Sequence, residues 1–222
     1  MKAISFLLAT VLFVGIQTGS AQIAPYGLEK PSPAVERMGL TMADRLRQDM
    51  RKLLSDHVFW TRDYAAAAIA DQPDKDAAAK RLLRNQDDIG NAVAQYYGRE
   101  AGEKLTAMLK DHIMIAVDLI KAAKSHDDAK FRETDRGWDR NAEDIAEFLS
   151  KANPNWARAT LTEMMKMHLT TTKNEVTARL NKNWDEDVRA FDAVYDHILK
   201  FSDALSDGII KQFPERFRSS TE

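Results

Sequence analysis

The sequence predicts an all-α protein, an up-and-down helical bundle built from three helix-hairpin repeats. Three observations lead there. Histidine recurs at positions 57, 112 and 168, intervals of 55 and 56 residues, inside one apolar frame: Met50-x2-Leu53-Leu54-x2-His57-Val58, Leu105-x2-Met108-Leu109-x2-His112-Ile113 and Leu161-x2-Met164-Met165-x2-His168-Leu169. A recurrence of this period marks repeated supersecondary units. A second pattern follows each of the first two histidines, Arg84-Asn85-x2-Asp88-Ile89 and Arg140-Asn141-x2-Asp144-Ile145, and Glu186-Asp187-Val188 resembles its end. Finally, the six prolines and nine glycines fall where helices begin or stop, and no segment shows the two-residue alternation of a strand.

The elements follow in order. Met1-Lys2, the apolar run Ile4 to Ile16 and the small residues up to Ala21 have the layout of a secretory signal peptide, residues 1–21, too short to span a bilayer. Residues 22–40, with Pro25, Gly27, Pro31 and Pro33, read as an extended N-terminal segment. The bundle occupies 41–213, with repeats at about 41–98, 99–153 and 154–213. Thr41-x-x-Asp44 caps a first helix that runs to about Asp71, Pro73 opens the second and Gly98 closes it. A third helix runs from about Glu100 to Lys124, and Ser125-His126-Asp127-Asp128 forms the next turn. The fourth ends near Ala152, Asn153-Pro154 caps the fifth, and the sixth runs from about Trp184 to Gln212. Pro214 stops it, leaving 214–222 as a tail.

Composition narrows the function. The chain of 222 residues has no cysteine, so thiol chemistry and thiolate metal ligation are excluded, and packing rather than disulfides must hold an exported protein together. Its formal charge is −2, with 32 basic and 34 acidic residues interspersed, which disfavours nucleic acid as a partner. With no transmembrane helix after signal cleavage, the reading is a periplasmic or secreted bacterial protein. There is no GxSxG elbow, phosphate loop or GxGxxG, and no Glu-x-x-His at any of the five histidines. No catalytic motif is found, and the chain reads as non-enzymatic.

The repeat histidines are the candidate site. The residues three and four positions before each are Leu or Met, on the same helical stripe as the ring, so the rings point inward. If the three first arms run parallel, the rings share one height. One reading is a transition-metal centre with His57, His112, His168 and Glu175 as ligands, zinc first and copper behind it. Asp88, Asp144 and Asp187 would orient the rings from the second arms. The alternative is a structural or protein-interaction module of the cell envelope, its histidines a buried polar layer without a ligand and its partner protein unknown. Met108, Met114, Met164, Met165 and Met167 invite copper(I), although leucines replace two of them in the first repeat. His126 falls in a turn, and His197, beside Asp196 on the last helix, has no counterpart in the other repeats but is an alternative fourth ligand. Exposure of Trp60, Trp138, Trp156 and Trp184 on one face would favour a partner surface.

Several motifs together, among them His57-x2-Trp60-Thr61-Arg62, Arg81-Leu82-Leu83-Arg84-Asn85, Asn153-Pro154-x-Trp156 and His168-Leu169-x2-Thr172-x2-Glu175, resemble those of an uncharacterised family of bacterial helical-bundle proteins. The resemblance covers about residues 50–213. It implies a helical bundle in which the three histidines belong to the pattern, and it supplies no activity.

Overall fold

The computed structural model describes residues 39–218. The signal-peptide reading, nearly all of the extended segment and the last four residues lie outside them. Six long helices follow one another: α1 (Met42–Ile69), α2 (Lys75–Tyr97), α3 (Arg99–Lys124), α4 (Asp128–Ala152), α5 (Arg158–Leu180) and α6 (Trp184–Gln212), with a 3-10 turn at Pro214–Arg216. There is no strand among the described residues. Short connections make successive helices antiparallel neighbours, each packs on the next, and α6 returns to α1 and closes the bundle. The first arms α1, α3 and α5 also meet, through α1·α3 and α1·α5 contacts.

Local chemistry explains most boundaries. Thr41 and Asp44 form a reciprocal capping box at the start of α1. Three acids, Asp185, Glu186 and Asp187, open α6 and Lys211 lies in its last turn, matching the helix dipole at both ends. Two expected boundaries move. Pro73 stays in the turn and α2 begins at Lys75 after Asp74. Asn153 ends α4 rather than capping α5, which starts four residues past Pro154, at Arg158. There Asn153 Oδ1 accepts from the Asn155 backbone N–H at 2.8 Å, holding the connection in a turn before the helix can begin.

Gly98, at φ +85°, makes the sharp joint between α2 and α3. One turn later the two helices touch backbone to backbone: a Cβ on Gly102 would stand 2.6 Å from the Gly90 carbonyl oxygen. The α1–α6 seam is closed at the surface by Arg47 on Asp207 (2.9 Å) and Arg51 on Asp203 (2.6 Å). At the bundle end, Tyr97 donates to Gln212 Oε1 (2.8 Å) and accepts from Asn153 Nδ2 (2.9 Å), joining the ends of α2, α4 and α6. The start of the tail is docked as well, with Phe217 stacked on Tyr96 at 5.9 Å.

The second arms bury residues at steady intervals of 56: Leu82, Trp138 and Val194; Ile89, Ile145 and Phe201; Val93, Leu149 and Leu205. This register corrects the third match suggested by the sequence. Asp187 lies in the first turn of α6, whereas Asp88 and Asp144 lie beyond the middle of α2 and α4. The residue that stands where Asn85 and Asn141 stand is His197.

Candidate functional site: a buried histidine layer over an apolar chamber

His57, His112 and His168 sit near the middle of α1, α3 and α5 and are buried, at 5%, 2% and 5% exposure. Leu53, Leu54, Met165 and Leu169, on the same stripes, are core residues, and their burial turns the rings inward. The rings converge on His168, whose centroid is 5.5 Å from His57 and 6.0 Å from His112. His168 also stacks with His197 of α6 at 6.4 Å. Four imidazoles therefore form one contiguous layer.

Glutamine and asparagine orient the rings, not the second-arm aspartates. Gln86 Nε2 lies 3.3 Å from His57 Nδ1 and also donates to the Leu82 carbonyl at 2.8 Å. That carbonyl identifies the amide nitrogen, so His57 Nδ1 accepts and its proton is on Nε2. Asn141 is fixed in the same way: its Nδ2 donates to the Met108 carbonyl at 3.1 Å, so its Oδ1 takes the His112 Nδ1–H at 2.7 Å. His112 Nε2 is consequently a bare lone pair. Asp88 instead approaches Arg81 (3.9 Å), Asp144 is exposed, and Asp187 pairs with Arg62 and Arg179.

Asparagine carries the cue that sequence reasoning passed over. Asn85 Nδ2 donates to the Leu53 carbonyl (3.0 Å), Asn141 Nδ2 to that of Met108 (3.1 Å), and His197 Nε2 to that of Met164 (2.8 Å). Each acceptor lies four residues before a layer histidine, and the three donors are 56 residues apart. An offset of 56 carried one step beyond Asn141 gives His197 the counterpart that the sequence reading had not assigned it.

Beneath the layer is a chamber of about 60 Å³ lined by His57, His112, His168, Gln86, Met50, Met165 and apolar neighbours. Its first-arm walls, Met50, Leu54, Leu105, Leu109 and Met165, all precede their histidines, while Ile89, Val93, Ile145, Leu149 and Phe201 come later on the second arms. The imidazoles therefore close one end. The space exceeds the ~10–15 Å³ that a water needs and is well below the ~150 Å³ of a cavity that holds benzene. An ion or a few waters fit, and a drug-sized ligand does not.

Burial sets the electrostatics. Loss of water holds His57 down at about 3, with the His112 ring adding to the effect, and holds His112 at about 4. The same cause keeps His168 well below the ordinary imidazole value. All three rings are neutral at physiological pH, the form that ligates metals. Two buried ring nitrogens, His112 Nε2 and His168 Nδ1, have no hydrogen-bond partner among the described residues. Trp138 stands 5.1 Å from the His112 ring, and its Nε1 also lacks a partner.

Glu175 does not join the layer, correcting the expected ligand set. It lies seven residues beyond His168, about 10 Å along α5, on the side away from the chamber. There Arg62 Nη1 donates to its Oε1 at 2.5 Å, and Arg62 also holds Asp187. Burial raises Glu175 to about 7 while the Arg62 guanidinium pulls the other way. Among the described residues, no group of three or more histidine, aspartate and glutamate side chains is arranged to hold a metal ion. The four-ligand zinc shell is thus not formed, since Glu175 is committed to Arg62 and His57 presents an N–H.

The tryptophans divide. Trp138 and Trp156 are core, Trp60 is half-buried and Trp184 is exposed. No described helix is long and apolar enough to cross a membrane. Comparison of the chain with protein families, curated proteins and solved structures finds no match.

Proposed function

We propose that this is an exported, non-enzymatic metal-binding bundle that holds one soft monovalent cation, copper(I), between His112 and His168. The observation that carries the reading is the pair of partnerless buried nitrogens on adjacent rings, His112 Nε2 and His168 Nδ1. A buried polar atom without a partner costs about 1–3 kcal/mol, and a bound ion would remove that cost at both nitrogens.

Charge argues for a monovalent ion. The chamber has no carboxylate in its lining, and the cost of burying an ion among neutral groups grows with the square of its charge. A divalent zinc ion would keep its full charge there, whereas copper(I) needs few ligands and accepts imidazole and thioether donors. Met50 and Met165 supply nearby thioethers in the wall. The intervals of 55 and 56 residues and the three equivalent carbonyl contacts support a threefold repeat as the origin of the layer.

Binding is tested on the mature protein by titration with copper(I) under reductant and with silver(I) as a redox-inert substitute. One equivalent is expected, lost in His112→Ala and in His168→Ala. No uptake of either ion, or preferential uptake of zinc, would overturn the reading.

A second reading, an envelope interaction module, draws on one feature. Phe59 of α1 and Val188 and Trp184 of α6 are exposed, and Phe59 packs at 5.4 Å on both Phe191 and Tyr195. An apolar face of this kind favours a protein contact. Sedimentation of wild type and a Phe59→Ser, Val188→Ser double variant tests for self-association through it.

A further inference from the structure

His197 does a job that asparagine does elsewhere in the chain. Its Nε2–H donates to the Met164 carbonyl at 2.8 Å, as Asn85 and Asn141 donate to the Leu53 and Met108 carbonyls at 3.0 and 3.1 Å. An amide therefore suffices to fill this contact, and a histidine there brings something the contact does not require. What it brings is a second nitrogen. With the proton on Nε2, His197 Nδ1 is a free lone pair on a ring stacked against His168, centroids 6.4 Å apart and planes 19° from parallel.

Position gives that lone pair a use. His57, His112 and His168 are buried, while His197 on α6 is half-buried and the most exposed ring of the layer. An ion bound between His112 and His168 has to cross a well-packed wall in which the two chamber thioethers, Met50 and Met165, are themselves buried and the other apolar residues offer no ligand. Passage through a close-packed interior is slow unless donors lie within a step of one another.

We infer that His197 is the loading ligand of the bundle, taking a soft cation from solution and passing it to His168 by ligand exchange. The inference rests on the copper(I) reading given above. With the His168 proton on Nε2, the His168 Nδ1–metal bond forms as the His197–metal bond breaks; the ion keeps its charge, both rings stay neutral and no proton or electron moves. His197 is an entry residue and not part of the final site.

The repeat supplies the test. His197→Asn installs the residue found at positions 85 and 141, preserving the contact to Met164 while removing the ring; His197→Gln serves as a second variant, and thermal unfolding checks that both remain folded. Silver(I) uptake by the mature protein is followed in stopped flow and at equilibrium. The expected result is one equivalent bound by wild type and both variants, with loading and release each slowed at least tenfold in the variants. Unchanged rates with full stoichiometry would overturn the loading role alone. Loss of the equivalent in both folded variants would overturn it too, by making His197 a ligand of the final site. Absence of silver(I) binding by wild type would sink the copper(I) reading and this inference with it.

Discussion

Arg62 of α1 and Glu175 of α5 are joined by an ion pair whose carboxylate is almost wholly covered, with side-chain exposures of 22% and 4%. The same guanidinium grips Asp187 of α6 through both of its terminal nitrogens and lies 4.6 Å over the Phe191 ring. Three helices are thus tied at one residue, and two buried carboxylates depend on it for charge.

Removing the arginine should therefore cost far more than removing one carboxylate's charge. Arg62→Ala leaves Glu175 and Asp187 buried, with Arg179 paired directly with Asp187 and reaching Glu175 only through its charge, and should destabilise the bundle by about 3 kcal/mol or more. Glu175→Gln keeps an acceptor for Arg62 and should cost less than about 1.5 kcal/mol. Urea unfolding of the two variants measures the difference, and equal losses would contradict the assigned dependence.

Acid should unfold the protein through its histidines. Their native values lie below the unfolded value of 6.5, at about 3 for His57 and about 4 for His112, with His168 also lowered. Below pH 6.5 the unfolded chain binds protons at three rings that the native state resists, and for His57 and His112 this continues down to about pH 4. Stability is then complete above 6.5 and falls by roughly 1.4 kcal/mol per ring for each unit below it. Glu175, raised from 4.5 to about 7, works in the opposite sense, because between those values the native state keeps a proton the unfolded chain releases. Below pH 6.5 one carboxyl offsets one ring and the net slope is positive with pH, whereas between 7 and 6.5 Glu175 acts alone and the slope is slightly negative. Urea midpoints should change little from pH 7.5 to 6 and fall steeply from 6 to 5, and no fall between 6 and 5 would show that the rings are not buried neutral.

The α2–α3 crossing predicts a steric effect without chemistry. Gly102→Ala would place its methyl 2.6 Å from both the Gly90 carbonyl and the Ala94 Cβ, and α2 and α3 would have to separate. A loss of about 1–3 kcal/mol is expected, the usual cost of overpacking, whereas Gly137→Ala, which meets only the end of Arg140 at 3.9 Å, should be neutral or slightly stabilising. Thermal unfolding of the pair distinguishes them.

What could be read in the sequence was periodic. Six helices and the inward direction of three histidines follow from apolar spacing, because an amphipathic helix has to bury its stripe whatever the rest of the fold does. The partners of those rings were another matter. Second-arm aspartates looked like the natural acceptors for imidazole, yet a buried carboxylate needs a cation, and Asp187 finds Arg62 and Arg179 while Asp88 turns to Arg81. Neutral Gln86 and Asn141 cost less to bury, so they take the place beside the rings. Glu175 failed as a ligand for a reason of length: two helical turns cannot be bridged by its side chain, which pairs locally instead.

Opposite tautomers at His57 and His112 give the sharpest check on the layer. His57 Nδ1 accepts from Gln86 and His112 Nδ1 donates to Asn141, so nitrogen NMR of the metal-free protein should find the proton on Nε2 in His57 and on Nδ1 in His112. Asn141→Leu removes the acceptor that fixes His112 and leaves the Met108 carbonyl without its side-chain donor, and the ring should then sample both tautomers. If His112 Nε2 is a metal ligand, silver(I) affinity should drop about tenfold or more in this variant, the usual penalty for losing the group that orients a ligating imidazole. A variant that keeps the wild-type tautomer and affinity would remove Asn141 from the site and leave His112 oriented by packing against Trp138 alone.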